Sequence, residues 1–248
     1  MKRSDLIKVF LRSLFIQASF NFRGMQNLGF AFAMVPVAER FGNDKQRITG
    51  FLTRHLQSFN THPYLAASII GSVVSIEESL DAGNDGAEAV ALKNVLMGPY
   101  AAIGDSFFWG ALKPFAAICG VLMAVQGFLW APLLFFFLYT PAHLWVRIKG
   151  FLAGYRRGKQ GIDFIRMLDM PGIAGKLRII SPVLLGILAA MISETMCRSF
   201  ASLRYDVLAK LAVLIVTIVL FRVIRKGLST LGILYGMFVL FCVISLTW

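Results

Sequence analysis

The sequence contains little charge and few cysteines. Asp, Glu, Lys and Arg make up only 15% of its 248 residues, whereas soluble globular domains carry about 25%. The three cysteines, Cys119, Cys197 and Cys242, fit no C-x-x-C or Cys/His metal-ligand spacing. The scarcity of charge excludes an ordinary soluble domain, and we expect neither a metal ion nor a cofactor.

Apolar residues fill the sequence instead. They make up 57% of it, and the mean hydropathy is +0.70. The long apolar runs leave no charge-rich stretch large enough to fold as a separate soluble domain. We therefore predict an all-α, polytopic integral membrane protein that forms a single membrane domain over residues 1–248.

The net charge is +12, and the Lys and Arg residues that produce it lie between the apolar segments. A nucleic-acid-binding protein would cluster them on one face among exposed aromatics, so we expect no nucleic-acid partner. In membrane proteins Lys and Arg mark cytoplasmic loops. Over residues 147–178 they outnumber Asp and Glu eight to two, which predicts a basic cytoplasmic loop. The final apolar run, 228–248, predicts a last transmembrane helix that ends outside the cell.

Residues 1–23 predict an amphipathic cytoplasmic arm. On a helix over residues 4–23 the polar side chains share one narrow stripe, and apolar side chains occupy the remainder. A helix with cations on its polar face lies along a membrane surface or clasps a partner subunit, and the sequence leaves both open. The stripe consists of Asp5, Lys8, Arg12, Ser19 and Arg23.

Two apolar stretches contain polar residues together with Gly or Pro, which predicts interrupted or re-entrant half-helices lining a cavity. The first, 55–76, carries Asn60, Thr61 and His62 just before a proline. This pattern predicts a helix start whose free N–H groups suit an anion or a hydroxyl-rich ligand. The alternative is that Asn60 and Thr61 only cap that helix.

The second interrupted stretch, 93–114, is broken by Gly98-Pro99 and by Gly104, and it carries Asp105. A charge at bilayer depth costs about 2.5–3.5 kcal/mol, so Asp105 is a candidate functional residue. It either accepts hydrogen bonds from the hydroxyl groups of a ligand or forms an ion pair with Lys93 or Lys113 that fixes helices together.

Glu77 and Glu78 open an acidic segment, 77–92, that contains no Lys or Arg. Neighbouring residues on a helix point about 100° apart, which does not suit a cooperating acid and base. We read them as solvated loop residues, or as gating or subunit-contact residues. The membrane side of this loop stays open.

Four ordered motifs resemble one protein family. They are SFNFRGMQNLGF, FNTHPYLAASIIG, the Glu77-Glu78 pair and LMGPYAAIGDSFFWG, with GIDFIRML in the basic segment. Together they closely resemble the IID membrane subunit of the mannose/fructose/sorbose family of bacterial phosphotransferase systems, over roughly residues 12–170.

The resemblance implies a permease subunit in the bacterial cytoplasmic (inner) membrane. A IID chain would form, with a IIC membrane subunit, the path for a hexose of the mannose type. Cytosolic IIA and IIB domains relay phosphate through their own histidines to the sugar. The resemblance therefore implies a hetero-oligomer in which this chain has no catalytic residue, and His62 carries no phosphoryl group.

Candidate site residues follow from the motifs and the resemblance together. The substrate-path candidates are Asp105, Asn60, Thr61, His62, Glu77, Glu78 and Lys93. Partner-contact candidates are Asn21, Arg23 and Gln26 towards IIC, or else plain surface polarity, and Arg156 and Arg157 towards phosphorylated IIB, because Arg suits phosphate recognition.

The sequence departs from the family at two places. Ala102 stands where the family favours Gly, and from about residue 194 the chain looks shortened. The shortening motivates a second hypothesis, in which the chain is a regulatory or scaffolding membrane protein that binds IIB-type domains without transporting sugar.

Overall fold

The computed structural model describes residues 1–80, 86–197, 203–227 and 229–246. Within these ranges the protein is helical and contains no β-strand, as the all-α prediction requires. The chain divides into two compact units, Met1–Leu184 and Leu185–Trp248.

The first unit is built from eight α-helices and the start of a ninth. A 3₁₀ turn, Glu39–Phe41, follows α2, and another, Gly158–Gly161, precedes α8. The α-helices are α1 (Arg3–Ser13), α2 (Asn27–Ala38), α3 (Lys45–His55), α4 (Ala66–Ser79), α5 (Ala87–Gly104), α6 (Lys113–Val125), α7 (Ala131–Arg157), α8 (Ile162–Met167) and α9 (Met170–Cys197).

Helix α4 forms the centre of this unit. It is apolar on all sides, as expected of a buried helix, and Ile69, Ile70, Val73 and Val74 are fully buried. Its backbone lies so close to α7 that a Cβ at Gly154 of α7 would overlap the Ser68 carbonyl oxygen of α4. Glycine is therefore required at this crossing.

The predicted break at Gly98-Pro99 is wrong. Helix α5 continues through Pro99, and α5, a π-helix over Asp105–Leu112 and α6 form one 39-residue helical stretch, Ala87–Val125. A second stretch, Ala131–Ile192, covers 62 residues and contains α7, α8 and most of α9. Both are long and apolar enough to cross a membrane, since about 20 residues span the hydrocarbon core.

The N-terminal helix is shorter than predicted. It ends at Ser13, whose Oγ donates to the Phe10 carbonyl oxygen at 2.6 Å, and residues 14–19 form turns. A Ser hydroxyl that bonds the preceding backbone competes with helix propagation. The arm over 1–23 is therefore helical only in its first half.

Two predicted loops are largely helical. Residues 147–157 continue α7 and 170–178 begin α9, so the basic segment contains only a short non-helical part. Glu77 and Glu78 lie in the last turn of α4. Within the acidic segment, residues 81–85 lie outside the described residues.

The second unit contains the end of α9, then α10 (Leu203–Arg225) and α11 (Thr230–Leu246). Exposed apolar side chains cover α10 and α11, among them Leu214, Phe221 and Phe241. Helix α11 occupies most of the predicted last transmembrane segment. The apparent shortening after residue 194 falls partly on 198–202, which lie outside the described residues.

Candidate functional site

The π-helix over Asp105–Leu112 is the most unusual element of the first unit. π-Helical geometry is rare and is frequently found at functional sites. Phe108 is fully buried and anchors the segment in the core, whereas Asp105 and Trp109 are exposed. The segment thus presents a carboxylate on a helix whose other side chains, apart from Ser106, are apolar.

The loop before α4 packs directly on this π-helix. The His62 ring stacks on Phe108, with ring centroids 5.1 Å apart, and lies 4.7 Å from Trp109. Gly104 permits the approach, because a Cβ there would overlap the His62 side chain. The fold therefore brings the two interrupted apolar stretches of the sequence, 55–76 and 93–114, into contact.

Asp105 does not form the ion pair offered as an alternative above. Within the described residues it has no salt bridge to Lys93, Lys113 or any other cation. Lys93 is fully buried, and its Nζ donates to the Gln57 carbonyl oxygen at 3.5 Å and lies 5.2 Å from the centre of the Phe30 ring. The helix-locking alternative is wrong.

Arg178 of α9 contacts the π-helix from another side. Its Nη2 donates to the Ser106 carbonyl oxygen at 3.1 Å and to Ser106 Oγ at 2.7 Å. The sequence predicts Arg178 only as part of the basic cytoplasmic loop. Its one sequence signal was a cation next to the apolar run that follows it.

The predicted capping role of Asn60 and Thr61 is wrong. Helix α4 begins at Ala66, and its N-cap residue makes no side-chain hydrogen bond. Gln26 instead holds the Thr61 backbone from both sides, with Nε2 donating to the carbonyl oxygen at 2.7 Å and Oε1 accepting from the N–H at 3.1 Å. Asn60 is exposed.

Two buried polar atoms in this loop have no partner among the described residues. They are Thr61 Oγ1 and His62 Nε2, in side chains that are 3% and 1% exposed. An unsatisfied buried polar group costs about 1–3 kcal/mol. A functional role is one explanation for a buried polar group that is left without a partner.

Gln26 and Asn21 make internal contacts. Gln26 is 1% exposed, and Asn21 Oδ1 accepts from the Gly24 N–H at 2.8 Å. Of the three candidates for IIC contact, Arg23 alone has an exposed side chain. It borders a cavity of about 400 Å³ that Asn21, Asn27 and Ser58 also line.

Glu77 is buried in an ion-pair cluster, so the prediction that it is a solvated loop residue is wrong. It accepts from Arg54 Nε at 2.9 Å and Nη2 at 2.8 Å, and lies 2.9 Å from His55 Nε2. Burial raises the pKa of Glu77, but the hydrogen bonds from His55 and Arg54 outweigh it and leave that pKa below its ordinary value. These contacts tie α4 to α3.

Glu78 is also paired. It accepts from Arg40 at 2.5 Å and from the Tyr155 hydroxyl at 2.6 Å, and it pairs with the Met1 ammonium group. Burial raises its pKa, and the hydrogen bonds from Met1 and Tyr155 bring it below the ordinary value. Glu78 therefore links α4 to the start of α1 and to α7.

An aromatic cluster surrounds Arg147, which lies inside α7 and not in a loop. Its guanidinium sits 4.6 Å from the centre of the Tyr64 ring. The other face of the cluster is formed by His143, stacked 4.3 Å from Tyr64, and by Tyr139, whose hydroxyl lies 3.1 Å from that of Tyr64. This network fixes the loop that carries His62.

Comparison with known proteins matches residues 1–247 to the family described as "PTS system mannose/fructose/sorbose family IID component". The chain belongs to this family. The match confirms the resemblance seen in the sequence, and the chain is a membrane protein. For this IID component the four motifs were therefore sufficient to find the family.

Two curated relatives show how far the similarity extends. The mannose-specific EIID component of Escherichia coli is 41% identical over 176 residues, covering 69% of this chain and 60% of that protein. The fructose permease IID component of Bacillus subtilis is 28% identical over 258 residues, covering 97% and 94%. The match thus spans less than two thirds of the first relative.

Two solved structures share the fold of this IID component. A cryo-EM structure of the mannose transporter ManYZ with a microcin matches with a TM-score of 0.59 and 31% identity, covering 98% of this chain and 96% of that one. Another membrane protein matches with a TM-score of 0.71 and 29% identity over the same shares.

The two arginines that were predicted to contact IIB are the last two residues of helix α7 in this IID component. Arg156 and Arg157 are exposed and, among the described residues, form no ion pair. Two adjacent unpaired guanidinium groups can donate to phosphate or carboxylate groups of another protein.

Proposed function

We propose that this IID component forms, with a IIC subunit, the path by which a hexose crosses the bacterial inner membrane. The observation that carries the proposal is an exposed Asp105 on the π-helix against which buried His62 packs. Among the described residues, Asp105 has no salt bridge and His62 Nε2 has no hydrogen-bond partner. The names of the relatives, one mannose-specific and one a fructose permease component, support a sugar of this kind as the cargo.

A partner subunit follows from the cost of exposing Asp105. A carboxylate facing lipid at the bilayer centre costs about 2.5–3.5 kcal/mol, so intramembrane charges face protein or a water-filled cavity. The face of this chain that carries Asp105 is therefore covered by another protein chain, with a hydrated path between them. The name of the ManYZ transporter complex supports such an assembly.

The chemistry of the site suits a sugar. An ionised carboxylate accepts hydrogen bonds only, and sugar hydroxyls donate them. Hydrogen bonds to charged groups contribute about 1.5–3 kcal/mol. Trp109, which follows four residues after Asp105 on the π-helix and is 45% exposed, adds an aromatic face of the kind on which a sugar ring packs.

The chain accepts no phosphate itself in this proposal. The His62 side chain is 1% exposed, and its Nδ1 accepts from the Tyr64 N–H at 3.3 Å, so neither ring nitrogen is open to a phosphoryl donor. Phosphate transfer belongs to IIA and IIB. Arg156 and Arg157 dock IIB on the cytoplasmic side, with the N terminus in the cytoplasm and the C terminus outside.

Phosphoenolpyruvate-dependent sugar uptake tests the proposal. Proteoliposomes contain IIC with or without this chain, together with the soluble phosphotransfer proteins. Asp105→Asn should raise the KM for sugar about 10- to 100-fold, from the strength of a charge-assisted hydrogen bond. Asp163→Asn, an exposed aspartate at the start of α8, is the matched control and should change nothing.

The outcomes separate transport from scaffolding. Uptake that is lost without this chain and weakened by Asp105→Asn supports a path-forming subunit. Uptake that does not depend on this chain, combined with retained binding of IIB, contradicts transport and supports the scaffolding hypothesis.

A further inference from the structure

We propose that Arg178 is a positioning residue that holds Asp105–Leu112 in its π-helical form and so fixes the direction of Asp105. This deepens the proposed function, since it assumes that Asp105 lines the sugar path. Neither the motifs of the sequence nor the resemblance assigned Arg178 a role.

The contact of Arg178 is with the backbone as well as with a side chain. Nη2 reaches both the carbonyl oxygen and Oγ of Ser106, the residue directly after Asp105. Space for the guanidinium exists because Gly110, four residues further on, has no side chain, and a Cβ there would lie 3.3 Å from Nη2. Ser106 and Gly110 together form a seat for Arg178.

The π-helix is held from two directions. The buried Phe108 ring stacks on His62, and Ser106 is bound by Arg178 of α9. Asp105 carries neither contact and stays exposed. Both attachments therefore act on neighbours of Asp105 and leave its carboxylate free.

Return of the segment to α-helical geometry would redirect Asp105. A π turn closes hydrogen bonds from i to i+5, one residue more than an α turn. A change to α-helical geometry therefore rotates the side chains before the segment by about 100° in total relative to those after it, the angle per residue of an α-helix. Because Phe108 is fixed in the core, part of this rotation falls on Asp105.

Arg178 acts on Asp105 through geometry and not through charge. Among the described residues the two side chains form no salt bridge. Arg178→Lys keeps the charge and a donor, so it should partly restore what Arg178→Gln removes. A purely electrostatic residue would be restored fully by any cation.

Hydrogen–deuterium exchange measures the positioning without relying on transport. In the complete complex in nanodiscs, Arg178→Gln should speed exchange of residues 105–112 at least 10-fold and leave α4 unchanged. Lys176→Gln, an exposed lysine on the same helix, is the control and should leave both segments as they are. Unchanged exchange over 105–112 in Arg178→Gln overturns the proposal.

A double-mutant cycle in the uptake assay ties the positioning to Asp105. Arg178→Gln should raise the KM for sugar about 10-fold in the wild type and have no further effect in Asp105→Asn. An equal fold-change in both backgrounds would mean a general structural role and overturn the proposal. Uptake insensitive to Asp105→Asn contradicts the proposed function instead, and exchange then decides whether Arg178 holds the segment.

Discussion

Replacing Glu77 with glutamine removes the carboxylate that pairs with Arg54 and His55 in a buried cluster at the end of α4. The Glu77 side chain is 2% exposed and its cationic partner Arg54 is 21% exposed. Three contacts of 2.8–2.9 Å to Arg54 and His55 are weakened or lost. Among the described residues no other carboxylate then pairs with the guanidinium, which lies in a mostly buried position.

The size of the effect follows from burial. Breaking a buried ion pair by removing one partner costs about 3–5 kcal/mol. Because Arg54 retains some contact with water, we take the lower end, about 3 kcal/mol. For a protein of 150–250 residues 1 kcal/mol shifts the unfolding temperature by about 2–4 °C, so Glu77→Gln should lower it by about 6–12 °C.

Thermal unfolding in detergent at a fixed heating rate is the assay. The matched control is Glu88→Gln, whose carboxylate pairs with Lys159 at 2.8 Å on the surface, where the side chains are 49% and 62% exposed. An exposed pair contributes about 0–1 kcal/mol. Equal shifts for Glu77→Gln and Glu88→Gln would refute the reasoning.

Acidification provides a second check on Glu77. Burial raises its pKa, but His55 and Arg54 hold the pKa below its ordinary value of 4.5. Because the pKa of Glu77 is lower in the folded than in the unfolded protein, its carboxylate stabilises the fold at pH values above the ordinary pKa. This stabilisation is lost as the pH falls through the folded-state pKa. The difference between wild type and Glu77→Gln should therefore shrink below about pH 4.5, and a constant difference would contradict the account.

Two further predictions concern packing and partner binding. Gly154→Ala should destabilise the protein by about 1–3 kcal/mol, because the added Cβ would overlap the Ser68 carbonyl oxygen. Gly175→Ala on α9 is the control and should not destabilise it, since the added Cβ there meets no atom within 4 Å. Equal unfolding temperatures for the two variants would contradict the close contact between α4 and α7. Reversing Arg156 and Arg157 to Glu should weaken IIB binding at least 10-fold in a pull-down, and unchanged binding would exclude this docking surface.

Composition and short motifs predicted much of this molecule. The low charge and long apolar runs were enough for an all-helical membrane protein, because burying or embedding so much apolar surface leaves few alternatives. The polar residues of the two apolar stretches, Asp105 and His62, were singled out because charge and polarity are costly there. The structure brings their segments together.

The local path of the chain was predicted less well. Gly98-Pro99 predicted a break because Pro removes a backbone donor, yet α5 continues through it. Membrane helices tolerate Pro where neighbouring groups satisfy the freed carbonyl. The irregularity is the π-helix, which begins directly after Gly104, the second predicted break. Its supports come from His62 and Arg178, which are distant in sequence.

Pairing of charges was not predictable from spacing. Glu77 and Glu78 looked solvated because their own segment contains no cation, but their partners come from other helices. Arg54 is 23 residues before Glu77, and Tyr155 is 77 residues after Glu78. Local sequence rules cover only partners three or four residues apart, so such contacts follow from the tertiary fold alone.

Sugar uptake by reconstituted components tests the central claim most directly. Proteoliposomes containing IIC, with IIA, IIB and phosphoenolpyruvate-driven phosphotransfer supplied, are compared with and without this chain. The account predicts phosphorylated sugar inside only when the chain is present, with a 10- to 100-fold higher KM for Asp105→Asn. Equal uptake with and without the chain would contradict it.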